Sequence, residues 1–288
     1  MQQPVVHAFF EPQSFTYSYL VWDPLSKEAA VIDPVLDFDA ASGSTSTSSA
    51  EQIMAKVKEH NLTVQWLLET HVHADHLSAA PFLKRQLGGR IAIGSGITQV
   101  QQLFGQVFNL KDLKTDGSAF DKLFADGENF MLGTIRCSVL HTPGHTPACV
   151  SYCIGDAVFV GDTLFMPDYG SARCDFPGGD AATLYHSVQK LYQLPDQTRM
   201  FLCHDYKAPG RDEFVCETTI AAQKQQNIHL KQGTSEKDFV AMRTTRDKTL
   251  SMPKLILPSV QVNVRAGQFP AAEDNGTVYL KLPVNLFR

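Results

Sequence analysis

Seven side chains able to bind a metal are spread over four short segments of this 288-residue chain. His71, His73, Asp75 and His76 stand in THVHADH, His145 in HTPGHTP, Asp162 in VGDTLF and His204 in FLCHDY. Imidazole and carboxylate without thiolate suit zinc, iron or manganese, and the set exceeds what a four-coordinate structural site needs. Two kinds of chemistry are open to it. A pair of metals can bring the pKa of a bridging water down to about 7 and so make hydroxide the nucleophile. A single metal held by two histidines and a carboxylate keeps vacant positions, as a non-haem iron oxygenase requires.

Distant segments converge only if the elements before them deliver them to one place. Residues 64–70 (VQWLLET) read as a buried strand, and the ligands begin where it stops. Residues 77–87 follow with helical spacing, Leu77, Ala80, Leu83 and Leu87 on one side, which predicts Asp75 and His76 at a helix entrance. Residues 135–140 (IRCSVL) form another strand, ending in the Pro143-Gly144 turn that presents His145. Residues 157–160 are the second arm of a hairpin turned at Gly155-Asp156 and deliver Asp162; residues 199–203 deliver His204. In a sheet-based scaffold, function gathers in loops at one end of the strands.

The motifs, in this order, resemble the metallo-β-lactamase superfamily, from about Tyr17 to Tyr206. The resemblance implies an α/β fold, an αββα sandwich of two mixed β-sheets flanked by helices, with the metal at one edge. Within the superfamily, THVHADHLSAAPFLK, HTPGHTPACVSY and GDTLFMPDYGSARCDFPGGDAATLYHSV are similar to the persulfide dioxygenases and the β-lactamase-hydrolase-like proteins. The Arg-x-Asp-Phe element (Arg173, Asp175, Phe176) in the third stretch is the discriminating one.

That branch implies one Fe(II) on His71, His145 and Asp162, with His73, Asp75, His76 and His204 orienting ligands and water around it. It also implies the oxidation of glutathione persulfide by O2 and water to sulfite and glutathione, and a homodimer. The binuclear zinc pattern, that of the hydroxyacylglutathione hydrolases, uses the same residues differently. His71, His73 and His145 hold one zinc, Asp75, His76 and His204 the second, and Asp162 bridges, for thioester hydrolysis. Those hydrolases carry a helical C-terminal domain, whereas residues 254–267 here (KLILPSVQVNVRAG) read as a β-like, Pro-containing segment, which favours the dioxygenase.

Asp75, Tyr206 and Arg173 are the candidate catalytic side chains, Tyr206 as a hydrogen-bond donor into the metal cavity. Glutathione carries two carboxylates, and Arg forks suit carboxylates. Arg173, in the loop after Asp162, and Lys207 and Arg211, in DYKAPGRDE, are therefore the candidate substrate-binding residues. The alternative for each is a surface charge with a local ion-pair partner. His141 and His186 read as hydrogen-bonded or packed residues rather than ligands.

Composition is that of a globular chain with a substantial core: 43% hydrophobic, 19% charged, formal charge −5. No dense Lys/Arg cluster points to nucleic acid, no run approaches the ~20 apolar residues of a membrane span, and MQQPVVHAFFEPQ has no signal-peptide pattern, so the expected location is cytoplasmic. Cys137, Cys149, Cys153 and Cys203 fall in apolar strands and are expected in the core; Cys174 is expected to be a silent loop thiol. Residues 15–21 and 28–32 suggest a hairpin, and SGSTSTSSA a loop from which Ser48 or Ser49 caps a helix near Ala50. Residues 180–194, 212–229 and 235–250 read as helices. The expected organisation is a catalytic domain over residues 1–257 with a C-terminal extension, 258–288, packed on it.

Overall fold

The segment TYSYLVW at Thr16–Trp22 is buried along its whole length, with bulky side chains on both faces. Tyr17, Tyr19 and Val21 point into one apolar layer with Phe130, Val139, Tyr152 and Phe201. Leu20 and Trp22 point the other way, into a layer with Ile53, Leu83 and Phe104. A strand covered on both sides needs a sheet on one face and helices on the other. The computed structural model, which describes residues 3–286, has that arrangement twice over.

The first sheet holds β1 (Val5–Glu11), β2 (Thr16–Trp22), β3 (Glu28–Ile32), β6 (Thr63–Leu68), β8 (Arg90–Gly94) and β9 (Lys122–Phe124), side by side in that order. The second runs β10 (Asn129–Leu132), β11 (Ile135–His141), β12 (Val150–Ile154), β13 (Ala157–Phe159), β14 (Arg199–Phe201) and β15 (Glu217–Thr219). Both are mixed: β3–β6–β8–β9 and β13–β14 pair in parallel, the rest antiparallel. Helices α1 (Ser48–Glu59), α2 (Ala80–Leu87), α3 (Ile97–Val107) and α7 (Ile256–Asn263) cover the outer face of the first sheet. Helices α4 (Ala181–Leu191), α5 (Ile220–Gln226) and α6 (Glu236–Asp247) cover the second. The αββα sandwich expected from the motifs is the fold observed.

Five expectations about elements are corrected. The Ser/Thr-rich loop is partly a strand: β5 (Ser44–Ser46) pairs with β4 (Val35–Asp39), which pairs with β7 (Leu77–Ser78) in a small third sheet. Helix α1 starts after Thr47, and Ser49 caps nothing; its N–H and Oγ instead donate to the Asp37 carboxylate at 3.0 and 2.6 Å. The helix expected from Leu77 starts only at Ala80, because Leu77 and Ser78 pair with β4, so Asp75 and His76 lie in a turn. Residues 212–229 are not one helix: β15 first closes the edge of the second sheet against β14, and α5 follows from a Thr219 cap.

The fifth correction bears on the centre. The β-like tail segment is helix α7. Pro258 sits in its first turn, where a missing N–H costs nothing, and burial of Ile256, Val260 and Val264 against the first sheet's helical layer overrides the propensity of a β-branched run. A boundary after residue 257 falls inside this helix.

Candidate metal centre

The ends of β3, β6, β11, β13 and β14 all approach one edge of the sandwich. Asp33, just after β3, organises the loop after β6: its carboxylate accepts from Thr70 N at 2.7 Å, Thr70 Oγ1 at 2.8 Å and His73 Nε2 at 2.9 Å. His71 Nδ1 lies 3.0 Å from Thr70 Oγ1, and His76 Nδ1 lies 3.0 Å from Leu77 O. His145 Nδ1 donates to Arg173 O (2.8 Å), and His204 Nδ1 stands 3.2 Å from Phe15 O and 3.3 Å from Thr16 Oγ1. Thr16 Oγ1 also donates to Asp75 Oδ2 at 3.1 Å. Each of the five imidazoles therefore has one nitrogen held by the protein, which fixes its orientation and leaves the other to point inward.

The inward atoms converge without bonding one another. His71 Nε2 and His145 Nε2 lie 3.9 and 3.6 Å from Asp162 Oδ2, and one ligand atom from each of the three residues falls within 4.8 Å of the others. His204 Nε2 stands 3.3 Å from Asp162 Oδ1 and 3.5 Å from Asp75 Oδ2. His73, Asp75 and His76 make a second trio. His73 Nδ1, His76 Nε2 and Asp162 Oδ1 are buried with no hydrogen-bond partner. Buried polar atoms left unpaired are costly, and each of these belongs to a trio whose ligand atoms lie within 4.8 Å of one another, so the donor set fits bound cations. Burial, together with the neighbouring imidazoles, holds His71 well below the usual histidine range and brings His76 down to about 4, both neutral as ligands must be. Burial would do the same to His204, but the Asp162 and Asp75 carboxylates outweigh it and raise the ring well above 6.5.

The approach of Asp162 depends on Gly161, whose φ of +51° lies in the left-handed region. A Cβ there would stand 2.4 Å from Thr70 Oγ1.

The centre opens into a cavity of about 1150 Å³. One wall comes from β4 and β5, another from residues 250–255, and Phe165, Tyr169 and Tyr206 line the side near His204. Tyr206 stacks on the His204 ring at 5.6 Å. Although 38% of the residue is exposed, burial of its phenol end and the nearby Asp162 and Asp75 keep it protonated, a donor rather than a base.

Arg173 lines the cavity, but its guanidinium is committed. It forks onto Asp175 at 2.6 and 2.7 Å, donates to Ser251 O at 2.7 Å and lies over the Phe176 ring. It positions His145 through its carbonyl and the 250–255 wall through its side chain, and three of its five N–H donors are taken by these protein partners. Lys207 and Arg211 lie off the cavity lining. Lys207 sits over Phe214, and Arg211 is paired with Asp205 and Asp168, with its charge consumed locally. His186 is exposed beside Glu236, and His141 bonds Phe124 O. Cys137, Cys149, Cys174 and Cys203 are buried and Cys153 half-buried; Cys203 Sγ reaches toward Asp33 (3.8 Å), at the back of the centre.

Sequence reasoning missed Asp33, Thr16, Glu69 and Asn263. Asp33 could have been found, as a carboxylate that directly follows a buried strand. Buried Glu69 bonds Ser78 Oγ and faces His73 Nε2 at 3.4 Å, and burial raises its carboxyl. Asn263, on α7, carried no signal at all. Its amide donates to His73 O (2.9 Å) and His76 O (2.8 Å) and accepts from Ser78 N (2.9 Å), so it pins the ligand loop from behind.

The Metallo-beta-lactamase superfamily profile matches residues 12–204. The chain belongs to this superfamily. It is 53% identical to the "Probable metallo-hydrolase" of Burkholderia pseudomallei, over 97% of this chain and 99% of that one. It is 52% identical to the "Beta-lactamase hydrolase-like protein" of Xylella fastidiosa over 99% of this chain, which spans 66% of that longer protein. Against the bovine mitochondrial "Persulfide dioxygenase ETHE1" identity is 30% over 91% of this chain and 89% of that one. The crystal structure of ETHE1 from Myxococcus xanthus superposes with a TM-score of 0.73 at 30% identity, covering 92% of this chain and all of that one. The superfamily member is thus a metal-binding enzyme fold with its ligand set assembled. No helix among the described residues is long and apolar enough to cross a membrane.

Proposed function

We propose that this enzyme is a persulfide dioxygenase, converting glutathione persulfide, O2 and water to glutathione and sulfite at one Fe(II) on His71, His145 and Asp162. The observation that carries the reading is the wrapping of the Arg-x-Asp-Phe element around His145. Arg173 O accepts the hydrogen bond from Nδ1–H, and Phe176 meets the ring edge-on at 5.2 Å. One side of the three-ligand face is thereby walled by the element that resembles the persulfide dioxygenases.

An iron held by His71, His145 and Asp162 would supply open coordination positions for O2 and a sulfur ligand. The chain's own residues orient and exclude. Thr70, Arg173 and Phe15 fix the tautomers of His71, His145 and His204, and Asp75, held by Thr16, is placed to take protons from the water consumed in the reaction. Tyr206 offers a hydrogen bond to an anion at the cavity floor, and Phe165 and Tyr169 keep that side apolar.

A second reading is favoured by one feature. His204 Nε2 lies near both Asp162 and Asp75, and Asp75 groups with His73 and His76 in a second trio, which suits two zinc ions and a thioester-cleaving hydroxide. Metal analysis after anaerobic purification from iron-replete cells separates the two. One equivalent of iron with full activity supports the dioxygenase, and two equivalents of zinc retained with full activity overturn it.

A further inference from the structure

Four cationic side chains line the cavity: Arg173, Arg243, Arg246 and Lys254. Two are spent. Arg173 is forked onto Asp175, and Arg243 is buried against Asp247 Oδ1, its Nη2 at 2.6 Å and Nε at 2.8 Å, with Nη1 on Ser171 O. Arg246 and Lys254 are different. Both are exposed, and neither side chain has a hydrogen-bond or ion-pair partner among the described residues. The carboxylates of the facing walls cannot serve them: Glu11 is taken by Gln13 and Ser14, Asp37 by Ser49, and Asp39 by Ala41 and Ser42.

We infer that Arg246 and Lys254 form an anion subsite that binds a carboxylate of the substrate remote from its reacting sulfur. Arg246 ends α6 and Lys254 precedes α7, and the residues between them, 250–253, line the same wall. That wall is held to the centre by Arg173, whose Nη1 bonds Ser251 O while its carbonyl holds His145. The cations are thus placed by the same residue that positions a metal ligand. A volume of about 1150 Å³ exceeds what O2 and an inorganic sulfide need and stands just above the roughly 300–1,000 Å³ of pockets that bury drug-sized ligands. The ligand class that fits is a small peptidic thiol derivative, sulfur at the metal and carboxylate at the far wall.

This rests on the persulfide reading for the reacting group but not for the anion. The test compares glutathione persulfide with the persulfide of glutathione diethyl ester, which has no free carboxylate. In the iron-loaded wild type, KM should be about tenfold lower for the acid than for the ester, the size expected for solvent-accessible charge-assisted contacts. The preference should shrink as ionic strength rises from 0.05 to about 0.5 M. In Arg246→Gln/Lys254→Gln the preference should fall towards one through KM for the acid. Equal KM values for acid and ester in the wild type, or a preference that survives both substitutions or high salt, would overturn the subsite. If no persulfide is oxidised and S-lactoylglutathione is cleaved instead, the dioxygenase reading fails alone. The same acid-against-ester comparison on the thioester then tests the subsite.

Discussion

Each histidine of the centre has one nitrogen committed to the protein and one free, so substitutions at the ligand and behind it should differ in kind. Under the iron assignment, His71→Ala, His145→Ala or Asp162→Ala abolishes metal retention, whereas His76→Ala keeps one equivalent and lowers activity less. Inductively coupled plasma analysis of each variant decides this; loss of one of two bound metals in His76→Ala would show a binuclear site. Asp33→Ala removes the acceptor that holds His73 Nε2 and Thr70 and should weaken metal binding about 10- to 100-fold in chelator competition. Arg173→Ala should lower kcat and metal retention more than it raises KM, because the guanidinium ties Asp175 and Ser251 O to the loop that holds His145. Arg173→Lys should rescue little, since an ammonium cannot make the fork to Asp175. The seven ligands were legible because each follows an apolar run and has a residue type with few other uses in such a place. The ion pairs of Arg173 with Asp175 and of Arg211 with Asp205 and Asp168, and the place of Lys207 over Phe214, were not legible, because residue type does not show which acidic or aromatic neighbour a cation meets in the fold.

Among the elements, α7 matters most to the centre. Asn263→Ala would strip partners from His73 O, His76 O and Ser78 N, all buried. Each buried group left unpaired costs about 1–3 kcal/mol. The variant should therefore melt several degrees lower and lose metal faster to a chelator, and an unchanged melting curve would refute the role of α7. A chain ending at residue 257 should fail to fold or to hold metal, because the cut removes the rest of that helix. The strands were readable from period and burial: β2, β6, β11 and β14 lie within a residue or two of where the sequence puts them. Helix α7 was not, because VQVNV reads as strand by local preference, and only packing against the first sheet's layer makes it helical.

At the scale of the molecule, the two sheets are joined away from the centre by Asp23. From the turn after β2 it accepts from Thr134 N (2.7 Å) and Oγ1 (2.8 Å) in the β10–β11 turn, and from Leu25 N and Ser26 Oγ. Burial opposes ionisation, but these donors win and bring its pKa from 3.8 down to about 2. A depressed carboxylate stabilises the fold above its unfolded pKa and loses that contribution as pH falls, here between about 4 and 2. The amount is about 2 kcal/mol. Asp23→Asn should lower stability at pH 7 and flatten the loss below pH 4, as read by denaturant melts across pH. The overall sandwich was legible from the order of the motifs; the choice between one iron and two zinc ions was not, because both use the same seven residues. The measurement that bears most directly on that choice is oxygen consumption by the iron-loaded protein supplied with glutathione persulfide in aerated buffer. O2 uptake with release of one sulfite per O2, and little cleavage of S-lactoylglutathione, is the predicted result. A flat oxygen trace beside rapid thioester cleavage would contradict it.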